Sequence, residues 1–441
     1  MLSWPVSDQT PISLAYARAA PAPLNAPTLD TSVRADVAVV GAGFTGLSTA
    51  LHLAQQGISI AVVESREVGW GGSGRAFGQV VPYAKHHEDH IYSTFGPEYG
   101  ERLINLLATG PDVVFGLIEK NKIECEAIRT GLLFAAHTKA AAAKLEKRAK
   151  FWQGRSQPVS LLESQSLESI VGSRYYPAAL IDYRGGCVNP FGYARGLAKL
   201  AVSAGARLFE NSRATALSKH NNGWRLKAGN GEILANHVVL ATDGYTDRLW
   251  PGLRQAMVPV RAYHLLGSPL SENLRKSILP GGQSLTDSRR LYSGIRVRPD
   301  GRLHTSVDGP PFSNNGTAFG KRAAQRVRNL FPQVGDLVWE EQIAGWVGIS
   351  ADQYPRIHPL DNGLFGVVGL SGRGIAFGTL LGTELAKRVL GRPENECALP
   401  LSPLRPVPGA PFTRFLVHGL INLYRILDSV ELSSGYVRPA N

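Results

Sequence analysis

The chain has 441 residues, 44% hydrophobic and 19% charged, which is enough apolar material for a sizeable core and more than one domain. A formal charge of +12 raises nucleic acid, an anionic membrane surface or acidic ligands as partners, yet Lys and Arg are spread along the chain. The densest run, "KLEKRAKFWQGR", is broken by Glu146 and reads as one face of a solvated helix, so no nucleic-acid partner is expected.

The three cysteines, Cys125, Cys187 and Cys397, lie far apart with no C-x-x-C pair, which excludes a disulfide framework or zinc cluster and points to the reducing cytoplasm. The amino-terminal residues combine no basic region with an apolar one, so no signal peptide is expected. "LFGVVGLSGRGIAFGTLLG", the longest apolar candidate, carries Arg373 and repeated glycines, which argues against a transmembrane segment.

In chain order, residues 1–33 are rich in Pro and Ala and read as a leader lying over the body. "ADVAVV" predicts a buried parallel strand, "FTGLSTALHLAQQG" an amphipathic helix stopping at Gly57, and "SIAVVE" a second strand, completing β-α-β. "LINLLATG" and "DVVFGLIEK" predict helices, "CEAIRTGLLFAAH" a hairpin, and "TKAAAAKLEKRAKFW" a helix capped by Thr138. Asn189 is placed to cap another helix, with Pro190 at its first position and Gly205 at its end. "RLFENSRATAL", "WRLKAG" and "EILANHVVLAT" predict three strands joined by "NNG" and "GNG" turns. A mixed segment and a second glycine-rich region, 344–382, follow. The tail "FTRFLVHGLINLYRILDSVEL" places Phe412, Leu416, Leu420, Leu423 and Leu427 on one helical face. A helix packed on its own core is the expected cause, with a membrane-surface or partner helix as the alternative.

Gly41, Gly43 and Gly46 form G-x-G-x-x-G between the first predicted strand and helix, with Phe44 and Thr45 opening the helix. Gly41 suits the tight turn, Gly43 the approach of a pyrophosphate, and Gly46 the close packing of helix on strand. The unpaired N–H groups of the helix then face the phosphates. Glu64, about 20 residues on at the end of the second strand and followed by Ser65, is placed for the ribose hydroxyls. An NAD domain would continue into another crossover helix, whereas this chain enters "GWGGSGRAFGQV". Glycines here, Gly72 and Gly74 among them, permit positive φ and close approach to a ligand. Ser73 and Arg75 add a hydroxyl and a cation for a phosphate or flavin carbonyl, and such a loop suits the longer FAD molecule.

"DVAVVGAGFTGLSTALHLAQQG", "VGWGGSGRAFGQV" and "GLSGRGIAFGTLLGTELAKRVLGR" together resemble the D-amino-acid oxidase (glycine oxidase/sarcosine oxidase) superfamily of FAD-dependent oxidoreductases, especially its gamma-glutamylputrescine oxidoreductase-like branch. The resemblance spans about residues 10–395. It implies a mixed α/β fold with a Rossmann-like FAD-binding domain built from 34–84, 186–255 and 340–395. A substrate-binding domain with a mixed or antiparallel sheet is expected from 85–185 and 256–339, and a tail with an amphipathic helix from 396–441. Ala76, Ala214, Thr242, Gly372, Arg373, Gly374 and Ile375 join the expected FAD contacts. The implied reaction oxidises a C–N bond of a small amine or amino acid, with hydride passing to flavin N5, hydrolysis of the imine, and reoxidation by oxygen or another acceptor.

The chain departs from these relatives in ways that bear on chemistry. Where sarcosine oxidases carry His-Gly-Phe-Lys, this chain has Arg373 and then Ala376 at the lysine place, so an acceptor other than oxygen is in view. No cysteine or histidine stands where relatives link the flavin, which predicts non-covalent FAD. Tyr263, His264, Tyr292 and Trp346 are candidate substrate walls, and Arg373 is a candidate carboxylate partner. Phe77, part of an Ala-Phe pair where relatives have Asn-Gly, is expected to shape substrate choice. "KHHEDH" lacks the H-E-x-x-H spacing, so no metal is expected. A dehydrogenase or hydroxylase acting on a non-amine, or a non-catalytic flavoprotein subunit, are the alternative readings.

Overall fold

The computed structural model describes residues 10–291, 294–307 and 319–408, with positions 417, 419–424, 426–428 and 430 of the carboxy-terminal segment. The chain divides into one unit of Met1–Cys125, Val188–Val260 and Gly345–Ala410, and a second of Glu126–Cys187, Arg261–Ala344 and Pro411–Asn441.

In the first unit, six strands of an eight-stranded sheet lie in the order Arg356–Asp361, Leu364–Val368, Gly231–Leu240, Ser32–Val40, Ile60–Val63, Arg207–Phe209. Ser32–Val40 runs parallel to both neighbours, and Ile60–Val63 is buried at every position, as a strand covered on both faces must be. Ala214–His220 and Gly223–Ala228 form an antiparallel ribbon on Gly231–Leu240. The stretch expected as one strand, "RLFENSRATAL", is therefore two. The chain breaks at Asn211 (φ 51°), while the Glu210 carboxylate turns away to accept the N–H groups of Val68 (2.7 Å) and Ala26 (3.0 Å).

The Pro- and Ala-rich leader is tied down by side chains of the body, because it makes few backbone hydrogen bonds of its own. Asn189 caps its predicted helix, Pro190–Ser203, and its amide also donates to the carbonyls of Tyr16 (2.8 Å) and Ala19 (3.1 Å). Arg195 donates to Pro21 O (3.0 Å), and Ser212 Oγ accepts from Leu29 N–H (2.8 Å).

Two helices fix the geometry of the site. A Cβ on Gly378 would lie 3.1 Å from Phe44 Cβ, and one on Gly382 would lie 2.4 Å from Ser48 Cβ. Contacts advance four residues on each helix, so Phe44–Ala54 and Gly374–Val389 run in the same direction with their amino termini at one end. Ser48 Oγ secures the crossing by donating to Thr379 O (2.7 Å). The two helical stretches predicted after residue 100 belong to a single long element, Glu88–Asn121, broken at Gly96 (φ 76°).

The sheet of the second unit has eight strands in the order Trp339–Ile349, Val258–Pro269, Arg302–Val307, Gly294–Val297, Ser284–Asp287, Leu132–Ala136, Ala178–Asp182, Val159–Glu163. The predicted hairpin at "CEAIRTGLLFAAH" does not form. Leu132–Ala136 is buried throughout and takes a central place, parallel to Ser284–Asp287 and antiparallel to Ala178–Asp182. One sheet face packs Leu133, Ile181, Leu285, Ile295 and Leu303 against Leu167, Val171, Val327 and Leu330. The helix Lys139–Gln153 starts at Thr138, whose hydroxyl accepts the Ala141 N–H (3.1 Å).

The described part of the tail is helical, but its apolar residues do not pack inward as expected. Leu420, Leu423 and Leu427 are exposed, while Asp428 on the other side is buried against Arg290. Phe412 and Leu416 lie outside the described residues. No helix among the described residues is long and apolar enough to cross a membrane.

The close helix crossing is directly testable. Gly382→Val drives its new atoms into Ser48 and the Thr49 backbone and is expected to lower stability by about 1–3 kcal/mol. Gly116→Ala, in a helix with open space around it, is expected to raise stability by roughly 0.5–1 kcal/mol. Thermal denaturation of the two variants reads both signs.

Candidate cofactor and active site

The first glycine loop is built by contact distances. Gly41 has φ +104°, and a Cβ there would meet Ala241 O at 2.8 Å. A Cβ on Gly46 would sit 2.0 Å from Gly41 O, so helix and strand close on each other only with glycine. At Gly43 the group that approaches is Ser73 Oγ, 2.7 Å from a would-be Cβ. That hydroxyl accepts the Phe44 N–H (3.0 Å), joining the two glycine loops at a helix amino terminus.

Two groups here fit a dinucleotide. The buried Thr45 Oγ1, in the first turn of the helix, has no hydrogen-bond partner among the described residues, a position suited to a phosphate oxygen. Glu64 accepts from the N–H groups of Ala42 (2.8 Å) and Arg66 (3.1 Å) and from the Ser65 hydroxyl (3.0 Å). Desolvation raises its pKa, and these donors pull it back.

The second loop is shaped by packing as much as by any ligand. Gly69 lies against Ala194 and Phe191, Gly71 against the Tyr245 ring, Gly72 against Trp346 O, and Gly74 against Gly69 O and Phe191. Arg75, expected to face a phosphate or flavin carbonyl, is buried and donates to the carbonyls of Trp70 (2.7 Å), Pro11 (3.3 Å) and Thr10 (2.6 Å). It also stacks 4.7 Å above the Trp70 ring. The guanidinium gives these leader carbonyls charge-assisted donors. Ala76 O accepts the Tyr16 hydroxyl (3.0 Å), and Phe77 is half-buried just beyond.

Asp243, which sequence reasoning passed over, ties the second glycine-rich region to this centre. Its carboxylate, at φ 36° in the turn after Gly231–Leu240, accepts from Gly369 N–H (2.8 Å), Leu370 N–H (3.2 Å) and Gly348 N–H (3.4 Å). Burial raises its pKa, and the backbone donors oppose that rise. Neighbouring Thr242 exchanges a hydrogen bond with Thr246 Oγ1 (2.8 Å), and Trp346 N–H donates to the Tyr245 hydroxyl (3.3 Å). Ala214, at the start of its strand, belongs to the apolar cluster around Trp224.

The segment held by Asp243 leads through Gly372 (φ +82°) to Arg373, which precedes the first turn of Gly374–Val389; Ile375 is buried there. Lys85, close behind the second loop, was also missed, having no motif to mark it. Burial and the charge of Arg373 push its pKa down to about 8. The two cations thus lie close enough to feel each other's charge, and Arg373 stands at the start of Gly374–Val389. His86 and His90, from the cluster weighed for metal, stack at 4.3 Å and bond to Asp352 O (3.1 Å) and the Tyr354 hydroxyl (3.0 Å).

In the second unit, Tyr263 is buried with its ring 4.9 Å from Phe319 in an apolar cluster with Leu265 and Ala344. Alternation along the strand sends His264 to the other face, where it meets His304 at 5.4 Å. Arg296 Nε donates to His304 Nδ1 (3.1 Å). Burial, then the Arg296 charge, lowers the His264 pKa to about 3, so this imidazole is neutral. Tyr292 lies outside the described residues.

A sequence model described as FAD dependent oxidoreductase matches residues 36–388. The chain belongs to that family. It is 30% identical over 402 residues to gamma-glutamylputrescine oxidoreductase of Escherichia coli K12, covering 88% of this chain and 92% of that protein. It is 27% identical over 386 residues to glycine oxidase of Geobacillus kaustophilus, covering 84% and 96%. The crystal structure of glycine oxidase from that organism shares the fold, with a TM-score of 0.69 at 23% identity over 82% of this chain and 96% of that one. L-amino acid deaminase from Proteus vulgaris is similar too, with a TM-score of 0.69 at 17% identity over 84% and 97%. FAD is therefore the cofactor of this oxidoreductase, and its mixed α/β architecture with a Rossmann-like cofactor domain is the family's.

If Asp243 organises this centre, Asp243→Ala strands three inward-facing N–H groups and is expected to cost about 2–4 kcal/mol. Asp243→Asn keeps one acceptor and tolerates the left-handed backbone, so it is expected to cost less. Urea unfolding, with flavin fluorescence on dilution, separates the two.

Proposed function

We propose that this FAD-dependent oxidoreductase oxidises a C–N bond of an amine or amino acid that also carries an anionic group. The imine product is hydrolysed by water to a carbonyl compound and an amine, and the electrons leave to oxygen or another acceptor. Both curated relatives act, by name, on such substrates: a glutamylated amine and glycine. The anionic preference is supported by Arg373 at the start of Gly374–Val389, with the buried Lys85 near enough to feel its charge. FAD, when bound, supplies the two-electron acceptor. Gly41–Gly46, Thr45, Ser73 and Glu64 hold its adenosine and phosphate portion, and Gly372–Ile375 its far end. Arg373 and Lys85 orient the substrate anion. Trp346 and Phe77 line the approach. The cofactor is held without a covalent link, and the three free, buried cysteines suit a cytoplasmic protein.

Anaerobic mixing with a panel of D-amino acids, N-alkyl amino acids and glutamylated amines tests the reaction. Bleaching of the flavin band by at least one member is expected, and a flat response to all would reject the reading. Acid precipitation should leave the yellow colour in the supernatant. Repeating the reactive pair with oxygen and with a dye then identifies the acceptor class.

Lys85 predicts a pH signature. Its folded-state pKa is depressed to about 8, so the cation is present below that pH and lost as pH rises through it. KM for a carboxylate-bearing substrate is expected to rise roughly tenfold across this step. Lys85→Gln is expected to show the higher KM at all pH values and no such step, which separates Lys85 from the ionisation of the substrate amine.

A further inference from the structure

The carboxy-terminal helix turns its apolar side outward. Leu420, Leu423, Ile426, Leu427 and Val430 are 43, 48, 61, 36 and 54% exposed. At 100° per residue they form one stripe. Five of the nine exposed large hydrophobics among the described residues fall within these eleven positions. Scattered exposed leucines are ordinary, but a contiguous aliphatic stripe marks a contact surface. The helix is anchored by its polar side: Asp428 accepts from Arg290 Nη1 (2.9 Å) and from the N–H groups of Arg290 (3.3 Å) and Leu291 (3.4 Å).

One residue from that anchor, Arg289 lines a cleft of about 240 Å³ with Tyr175, Arg322, Gln325, Arg326 and Asn329. The last four recur at helical spacing along Phe319–Leu330, on a face beside the one that buries Phe319, Ala323 and Val327. Asp287, buried beneath, pairs with Arg289 and Arg326 and holds both guanidinium groups in place. The lining of the cleft holds three guanidinium groups and no carboxylate.

We propose that this side of the second unit docks on an anionic lipid surface. The aliphatic stripe enters the boundary between headgroups and acyl chains, and the arginine cleft takes a lipid phosphate. Charge complementarity selects this occupant: the cleft is cationic, and the whole chain carries +12. A second copy of the chain, meeting this face about a two-fold axis, would bring two such clefts towards each other at an electrostatic cost.

The test uses the full FAD-loaded chain in co-sedimentation with vesicles of phosphatidylcholine alone or mixed with phosphatidylglycerol. Binding is expected with the anionic vesicles and is expected to weaken as salt is raised. The double substitution Leu423→Gln with Ile426→Gln is expected to weaken binding tenfold or more, and Arg322→Glu about tenfold. All three positions are exposed, so flavin spectrum and melting temperature should stay unchanged. The proposal is overturned by absence of binding to anionic vesicles, or by binding that neither variant weakens. A dimer in solution that the Leu423/Ile426 substitutions dissociate would also overturn it.

Discussion

A single buried carboxylate joins segments of the cofactor unit that lie more than a hundred residues apart. Asp243 leaves the end of a central parallel strand and accepts N–H groups from Gly348, Gly369 and Leu370. Gly369 and Leu370 follow the end of Leu364–Val368, Gly348 lies near the end of Trp339–Ile349, and a buried N–H without an acceptor is costly. By satisfying them at one point, Asp243 sets where the helix after Arg373 begins. The left-handed backbone at Asp243 (φ 36°) is a local strain that the surrounding hydrogen bonds hold in place.

From that point the electrostatics follow. Two helices run parallel, one entered from the first glycine loop and the other from Arg373, and their positive ends lie together. Arg373 adds fixed charge at the start of the second helix, and the buried Lys85 feels that charge. Under the proposed function, this charge is what would favour a substrate carrying a carboxylate beside its amine. Across the sheet of the second unit, alternation separates an apolar face from one bearing His264, His304 and Arg296.

Legibility tracked how local each device is. Caps such as Thr138 and Asn189 could be read because donor and acceptor are two or three residues apart. The first glycine loop could be read because its tight turn and helix entry are short-range demands. Arg75 could not: its partners are the carbonyls of Thr10 and Pro11, more than sixty positions away. Leu132–Ala136 looked like half of a hairpin, yet its two neighbours come from residues 178–182 and 284–287. A strand buried on both faces takes partners from wherever the core supplies them.

By itself, the amino-acid sequence determined the cofactor class and the β-α-β frame that receives it, because glycine spacing, strand hydrophobicity and a carboxylate at the strand end are encoded within about thirty residues. Only the tertiary structure decided which cations serve the site and which serve the fold. It gave Arg75 to the leader, set Lys85 beside Arg373, turned Tyr263 into an apolar cluster, and left the tail's leucines facing outward. The reason is physical: a charge or ring is committed by the partner it meets, and those partners are brought near only by folding.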